Sequence, residues 1–383
     1  MNSNKHSTIL FCVVSSLYSF SLYTYVPILP AYAESLGASY KLVGIVIGSY
    51  GFTQMLCRIP IGIFSDAINN RKVFIILGLF TSLTSSLGMW YSTNVTSLIV
   101  FRSLSGIASA TWAIFTVLFA SYFSDNNVAK PIGILNSFDF FSMVSALLIG
   151  SIVSHCFNQK YNFLLASVAS TIALLLSFFI YEKKNEYHVP IKFTILMEIL
   201  KDRNLIIASV IAMTLQFITF STIYGFTPLF AKGIGANDIQ IGMLATIFNL
   251  PGILASAMSG TFFAKKFGEK GTIILGYTII SLSCFLTPFI NKIFIFYIIQ
   301  FVGGFGRHIV YSLLMALSIK NVKYQKRGTA MGIYQAIFAL GTFIGPIIVG
   351  LLIDTTSLNF GFIATGLVGV IGTFISWYYI KTA

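Results

Sequence analysis

Asp139 stands apart from the other acidic residues of this 383-residue chain. Glu34, Asp66, Asp125, Glu182, Glu186, Glu198, Asp202, Asp238, Glu269 and Asp354 fall in polar stretches or at the ends of apolar ones. Asp139 lies inside an apolar run, about nine residues from its start, which is roughly 13 Å along a helix. A charge there costs about 3 kcal/mol unless it faces a partner or a wet cavity, so it is a functional candidate. Burial raises a carboxyl's pKa and a nearby arginine lowers it, so an aspartate with alternating exposure can take up and release a proton. The competing reading is structural: a fixed ion pair with Arg58 or Arg102, or polar packing. Arg58, Arg102 and Arg307 also fall within apolar runs. Arg102 and Arg307, set against one aspartate, predict a cavity with surplus positive charge, and a guanidinium fork suits carboxylate or phosphate, pointing to an anionic or zwitterionic compound. The bland alternative is snorkelling or bonding to backbone carbonyls, favoured for Arg58, whereas Arg307 leans to a cavity role. His308 could titrate near neutrality, although a lone histidine is more often a packing residue.

Further polar candidates are Tyr23, Tyr25, Gln54, Trp112, Asn136, Gln216, Tyr224, Asn249, Tyr311 and Gln335. Aromatics with polar tips suit amphipathic ligands, but taken singly each of these reads more readily as packing. Covalent chemistry finds no support: there is no P-loop, and no nucleophile with a base and an orienting acid. Cys12, Cys57, Cys156 and Cys284, and likewise His6, His155, His188 and His308, are scattered, so neither a disulfide framework nor a metal site is expected. No cofactor is implied, and the chain is not expected to be an enzyme.

The elements that must hold these residues are apolar helices. The chain is 56% hydrophobic and only 9% charged, against roughly a quarter charged in a soluble domain. Twelve spans are predicted at 8–30, 42–64, 73–91, 97–121, 131–154, 161–181, 204–231, 239–264, 271–290, 293–319, 328–352 and 360–380. The first is longer than a signal-peptide core and reads as a retained helix. The net charge of +13 invites a nucleic-acid reading, which its distribution refuses. One set of connections carries Lys5, Arg71, Lys72, Lys130, Lys183, Lys184, Lys192, Lys201, Arg203, Lys265, Lys266, Lys270, Lys320, Lys323, Lys326, Arg327 and Lys381. The other carries only Lys41, Lys160, Lys232 and Lys292. This is the positive-inside asymmetry of an even number of helices, and it predicts a multi-pass protein of the plasma membrane with both termini cytoplasmic.

The chain also repeats itself. Gly44, Gly62, Phe64, Lys72 and Ile75–Gly78 are answered by Gly242, Gly260, Phe262, Lys270 and Ile273–Gly276, each 198 residues later. Pro228 and Gly235 stand at the same offset from Pro30 and Gly37, as does Gln300-x-x-x-Gly304 from Arg102-x-x-x-Gly106. Residues 1–181 and 204–383 are read as two six-helix halves, joined by a polar cytoplasmic linker over 182–203. That linker is either a plain tether or an amphipathic segment on the inner membrane surface.

In this layout the chain resembles the major facilitator superfamily over essentially its whole length. The resemblance implies an all-α integral membrane fold, with twelve transmembrane helices arranged as two parallel six-helix halves. Gly62, Asp66, Arg71 and Lys72 are similar to the superfamily's loop signature, with Asn69 and Asn70 where Gly and Arg are usual and Ala264 at the acidic position of the second copy. The resemblance implies that this loop braces the two halves in one conformation. Pro27-x-x-Pro30, Arg102-x-x-x-Gly106 and Gly341-x-x-x-Gly345-Pro346 are similar to elements of the bacterial drug:proton antiporter branch, except that the last motif falls in span 11 where that branch has it in span 5. The function implied is secondary active transport, with proton-coupled efflux of a small amphipathic or anionic compound by alternating access. The alternatives are an importer of a nutrient or organic anion on the same fold, and a non-transporting receptor or scaffold. The implied partners are a small-molecule substrate, protons and membrane lipids, with the protein a monomer.

Overall fold

A computed structural model describes residues 2–68, 70–123, 129–182, 197–322 and 326–380; the side chains of 2–5, 66, 129, 130 and 132 lie outside that description. Within it the chain is helix and turn, with no strand. In lipid every backbone polar group must be bonded within the segment, and an uninterrupted apolar helix does this. Ten described stretches are long and apolar enough to cross a membrane. One of them, Asp238–Phe289, is 52 residues long and turns at Gly268, whose φ of 70° and ψ of 168° leave the helix. It therefore makes two crossings. Tyr161–Ser177, 17 residues long, packs against the first and third spans as a further crossing. The total is the predicted twelve.

Several spans are interrupted where the sequence reading drew them whole. Span 1 is Asn2–Tyr23 followed by a turn and then Leu29–Ser35. Pro27 and Pro30 explain the break, because proline has no N–H to donate to the preceding turn. Span 4 breaks at Thr111, between Val95–Ala110 and Trp112–Ala120. Span 7 passes from Arg203–Ser221 through a π-helical turn at Thr222–Phe226 into Thr227–Gly233. Span 6 ends at Ser177, earlier than expected. Span 10, Ile293–Ile319, coincides with the prediction. Most of the 182–203 linker, 183–196, lies outside the described residues.

The two halves do the same things at the same offset. Gly37 and Gly235 both take positive φ, 86° and 87°, at equivalent outer corners. Gly106 lets span 4 approach the Tyr50 carbonyl of span 2, where an added Cβ would lie 2.1 Å from the oxygen; Gly304 does the same against Phe248, at 1.9 Å. Tyr50 and Phe248 are themselves 198 apart. Close approach through glycine is how membrane helices gain contact when lipid is as apolar as the neighbouring helix.

Each half has its own core: Phe11, Tyr18, Phe115 and Phe119 in the first, Leu215, Tyr277, Leu314 and Tyr334 in the second. A third cluster runs through both halves, joining Tyr25, Leu29 and Val43 to Phe226, Phe230 and Leu244. It lies at the end remote from the chain termini, and there the halves are locked together. Gly44 of span 2 sits against Pro346 of span 11, and Gly242 of span 8 against Ser151 of span 5. The backbone N–H groups of Tyr40 and Lys41 donate to the Asp354 carboxylate at 2.9 and 3.0 Å. Ser154 Oγ donates to Asp238 at 2.5 Å, and Lys232 pairs with Glu34 at 3.1 Å.

Candidate functional site

Toward the terminal side the halves part around a chamber of about 870 Å³. Its walls are the middle and terminal-side portions of spans 1, 2, 4, 5, 7, 8, 10 and 11. Asp139, Arg58, Arg307, His308, Gln54, Trp112, Asn136, Gln216, Tyr224, Asn249, Tyr311, Gln335 and Tyr23 all reach it. Arg102 and Tyr25 do not. Arg102 is 3% exposed, donates to Tyr25 Oη and Ser105 Oγ at 3.1 Å each, and has the Tyr50 ring 4.6 Å from its guanidinium carbon. Tyr50 stands between Arg102 and the chamber, so the expected cavity role gives way to a buried cation–π stack.

Asp139 accepts a hydrogen bond from Ser19 Oγ of span 1. Among the described residues no basic nitrogen lies within ion-pair distance of it, so the fixed pair with Arg58 or Arg102 is not formed. Arg58, for which snorkelling was favoured, is instead buried at 6% exposure. Its Nη2 donates to the Ser109 carbonyl at 3.2 Å, and its Nε has no partner. Ser109 Oγ accepts from Tyr50 Oη at 2.6 Å and from Gln54 Nε2 at 2.5 Å. This makes one polar ledge across spans 2 and 4. Thr111 breaks span 4 just beyond it, and Trp112 stacks on Tyr18 with their planes 1° apart.

The opposite wall is built on span 10. His308 Nδ1 lies 2.8 Å from the Gly304 carbonyl, which can only accept, so Nδ1 carries the proton. Nε2 is then the acceptor for Arg307 Nη1 at 2.9 Å, and the imidazole is a neutral support for the guanidinium. Gly252 of span 8 makes room for the ring: a Cβ there would lie 2.5 Å from it. The Arg307 guanidinium also lies over the Tyr311 ring at 5.1 Å, and its Nε is unpartnered. Tyr224 Oη donates to Asn249 Oδ1 at 3.2 Å, and Gln216 Oε1 is buried without a partner. The chamber thus carries two arginines with donors to spare, one unpaired carboxylate and a rim of aromatic rings.

Sequence reasoning passed over Tyr18, Ser19, Tyr50 and Ser109. Spacing gave a usable signal for two of them, since Tyr50 lies four residues before Gln54, and Ser19 four before Tyr23, each on the chamber-facing stripe of its helix. The loop signature lies only partly within the described residues. Gly62 has open space around it, and the Asp66 side chain and Asn69 lie outside the described residues. The backbone N–H groups of Arg71 and Lys72 donate to Glu182 at 2.8 Å each, and Lys72 Nζ to the Phe178 carbonyl at 2.6 Å. These partners belong to span 6 and its end, in the same half. Outside the membrane-spanning segments, burial and the nearby Glu182 carboxylate push the Tyr122 phenol well above its ordinary range.

Two matched six-helix bundles enclosing one polar chamber, closed at one end and open at the other, define a multi-pass transporter rather than an enzyme. The Major Facilitator Superfamily description matches residues 11–237 and again 210–383, and the chain belongs to that superfamily. It is 26% identical to an uncharacterised MFS-type transporter of Methanocaldococcus jannaschii, over 90% of this chain and 92% of the relative. It is 23% identical to the proton-coupled antiporter flippase LtaA of Staphylococcus saprophyticus, over 99% and 96%. Among solved structures, the nucleoside transporter NupG overlays with a TM-score of 0.79 at 14% identity, covering 98% of this chain and 100% of that one.

Proposed function

We propose that this transporter is a monomeric proton-coupled exporter of the plasma membrane. It moves a small amphipathic or anionic compound by alternating access, and its termini and open chamber face the cytoplasm. The observation that carries the reading is Asp139: the carboxylate among the chamber-lining residues, held by a hydroxyl rather than a cation. A carboxylate with no fixed counter-ion is free to bind and release a proton as its exposure changes, which a permanent ion pair would prevent. Arg58 and Arg307 supply the complementary charge for an anionic group, with guanidinium donors still available. The name of the antiporter relative from Staphylococcus supports the direction and the coupling, and the basic residues on the terminal side support the orientation.

Everted vesicles test this. Accumulation of candidate anionic and amphipathic compounds is measured with a pH gradient imposed or collapsed, for wild type, Asp139→Asn and Arg307→Ala. Wild type should concentrate its substrate only with the gradient. Asp139→Asn should equilibrate the compound without concentrating it, and Arg307→Ala should lose apparent affinity for anionic substrates by about 10- to 150-fold, as expected for a charged hydrogen bond worth roughly 1.5–3 kcal/mol. Fully coupled transport by Asp139→Asn would contradict the proposal, and accumulation confined to right-side-out vesicles would reverse its direction.

A further inference from the structure

Spans 5 and 8 form one of the two seams between the halves, and this seam is closed over only part of its length. At the far side Gly242 lies so near Ser151 and the Leu147 carbonyl that no Cβ fits between them. Toward the terminal side the two helices separate. Phe141, Leu250 and Ile253 line the chamber and are nevertheless 72%, 46% and 59% exposed. They continue into Phe138 and Leu254, which are exposed on the same helices but are not part of the chamber. Ala129–Cys156 of span 5 packs on Asp238–Asn249 of span 8 but scarcely on Gly252–Met258, so the wall here is a gap with apolar edges that run from the polar interior to the outer face of the bundle. The other seam, between spans 2 and 11, is sealed further along: the rings of Phe52 and Phe343 meet at 4.9 Å, and Met55 packs against the core of the second half.

We propose that the gap between spans 5 and 8 is a lateral portal, and that the substrate is an anionic amphiphile with its headgroup in the chamber and its alkyl chain out among the membrane lipids. The inference rests on the transport reading of the chamber and narrows its substrate class. Charge complementarity selects the headgroup, because Arg58 and Arg307 are the chamber cations and each keeps a buried, unpartnered Nε. The apolar edges select the chain. A soluble anion gains nothing from Phe141 and Ile253, whereas an alkyl chain can pass between them without ever being moved into water. The headgroup then reaches the arginines while the tail keeps its solvent.

Equilibrium binding of radiolabelled butyl phosphate and dodecyl phosphate to the purified protein in phosphatidylcholine nanodiscs tests the portal. Both ligands carry the same headgroup, and partition of the long chain into lipid is the same for every variant, so the ratio of variant to wild type isolates the protein's part. Phe141→Gln/Ile253→Gln should weaken dodecyl phosphate binding by about tenfold, equivalent to losing contact with about two methylenes, and leave butyl phosphate within twofold. Leu175→Gln, as exposed as Ile253 at 59% but on span 6, away from this seam and outside the chamber, should change neither. Equal losses for both ligands, no loss of dodecyl phosphate, or the same loss in Leu175→Gln would overturn the portal. If the double variant does not fold, Ile253→Gln alone carries the same comparison. The assay uses no ion gradient, so loss of proton coupling in the transport reading would leave its outcome untouched.

Discussion

Gly44 offers the sharpest test of how the far side is held shut. Its Cα faces the backbone of span 11 across the seam: a Cβ would lie 2.1 Å from the Pro346 carbonyl oxygen, 2.7 Å from its carbon and 3.1 Å from Ile347 Cα. None of these atoms can move by a rotamer change, so in Gly44→Ala the helices must separate by about an ångström to restore ordinary contact. Overpacking of this kind costs about 1–3 kcal/mol. In the alternating-access cycle proposed above, the conformation open on the far side separates spans 2 and 11 at this level and carries no such cost, so its population should rise by roughly 5- to 150-fold. Ile47 is a suitable reporter, being 2% exposed and packed beside Gly225 of the other half. In a chain whose four cysteines are replaced by serine, the Ile47→Cys thiol is labelled by a membrane-impermeant maleimide applied to the far side. The labelling rate should climb with Gly44→Ala by the same factor. Gly62→Ala, where nothing lies within 4 Å, should leave it unchanged. An unaltered rate in folded Gly44→Ala protein, or an equal rise in Gly62→Ala, would refute the reasoning; Gly48→Ala, facing the Phe343 carbonyl at 2.5 Å, repeats the test at the next turn.

Asp354 caps the first backbone N–H groups of span 2 from the opposite half, and Asp354→Asn should weaken that latch by about 1 kcal/mol, raising Ile47→Cys labelling by about fivefold. Glu34→Gln removes a pair whose side chains are 39% and 52% exposed, so its effect should stay below about 1 kcal/mol and vanish in high salt; a large effect persisting in salt would show that the exposed pair holds the seam. Arg102→Lys keeps the charge but loses the planar stack over Tyr50 and the fork to Tyr25 and Ser105, and should destabilise the purified protein by about 2 kcal/mol in thermal unfolding. Arg102→Met should cost less, because it also removes a buried charge with no counter-ion; the reverse order would assign Arg102 an electrostatic role.

The number and order of crossings were legible because apolar runs, the side of the basic residues and the 198-residue offset all point the same way. The offset also located Gly106 and Gly304 as close contacts, since only a backbone approach requires glycine at both positions. Which face of a span looks inward was much less legible. Arg58 and Arg102 share one composition and one environment on paper, and only the position of the Tyr50 ring decides that the first reaches the chamber and the second does not. Ser19 was missed because a serine in an apolar helix commonly bonds its own carbonyls, as Ser15 and Ser21 do here. The break at Thr111 left no local signal, because no proline or glycine pair stands beside it; the turn at Thr222–Phe226 had one in Pro228, which has no N–H to offer the Tyr224 carbonyl and stands 198 residues after the Pro30 of the span 1 break.

Glu34 and Lys232 are 198 residues apart, so they are the same position in the two copies, and they touch. A position that meets its own counterpart lies on the pseudo-twofold axis. In a symmetric homodimer such a site must present identical side chains to each other, and an ionised group there would face its own charge. Covalent fusion lifts that constraint: each copy can carry the opposite sign, and like-charge repulsion on the axis becomes an attraction. The same freedom lets one half hold the carboxylate of Asp139 while the other holds Arg307. Sharing the work unequally across a shared chamber is open to a fused pair and closed to a dimer of identical chains.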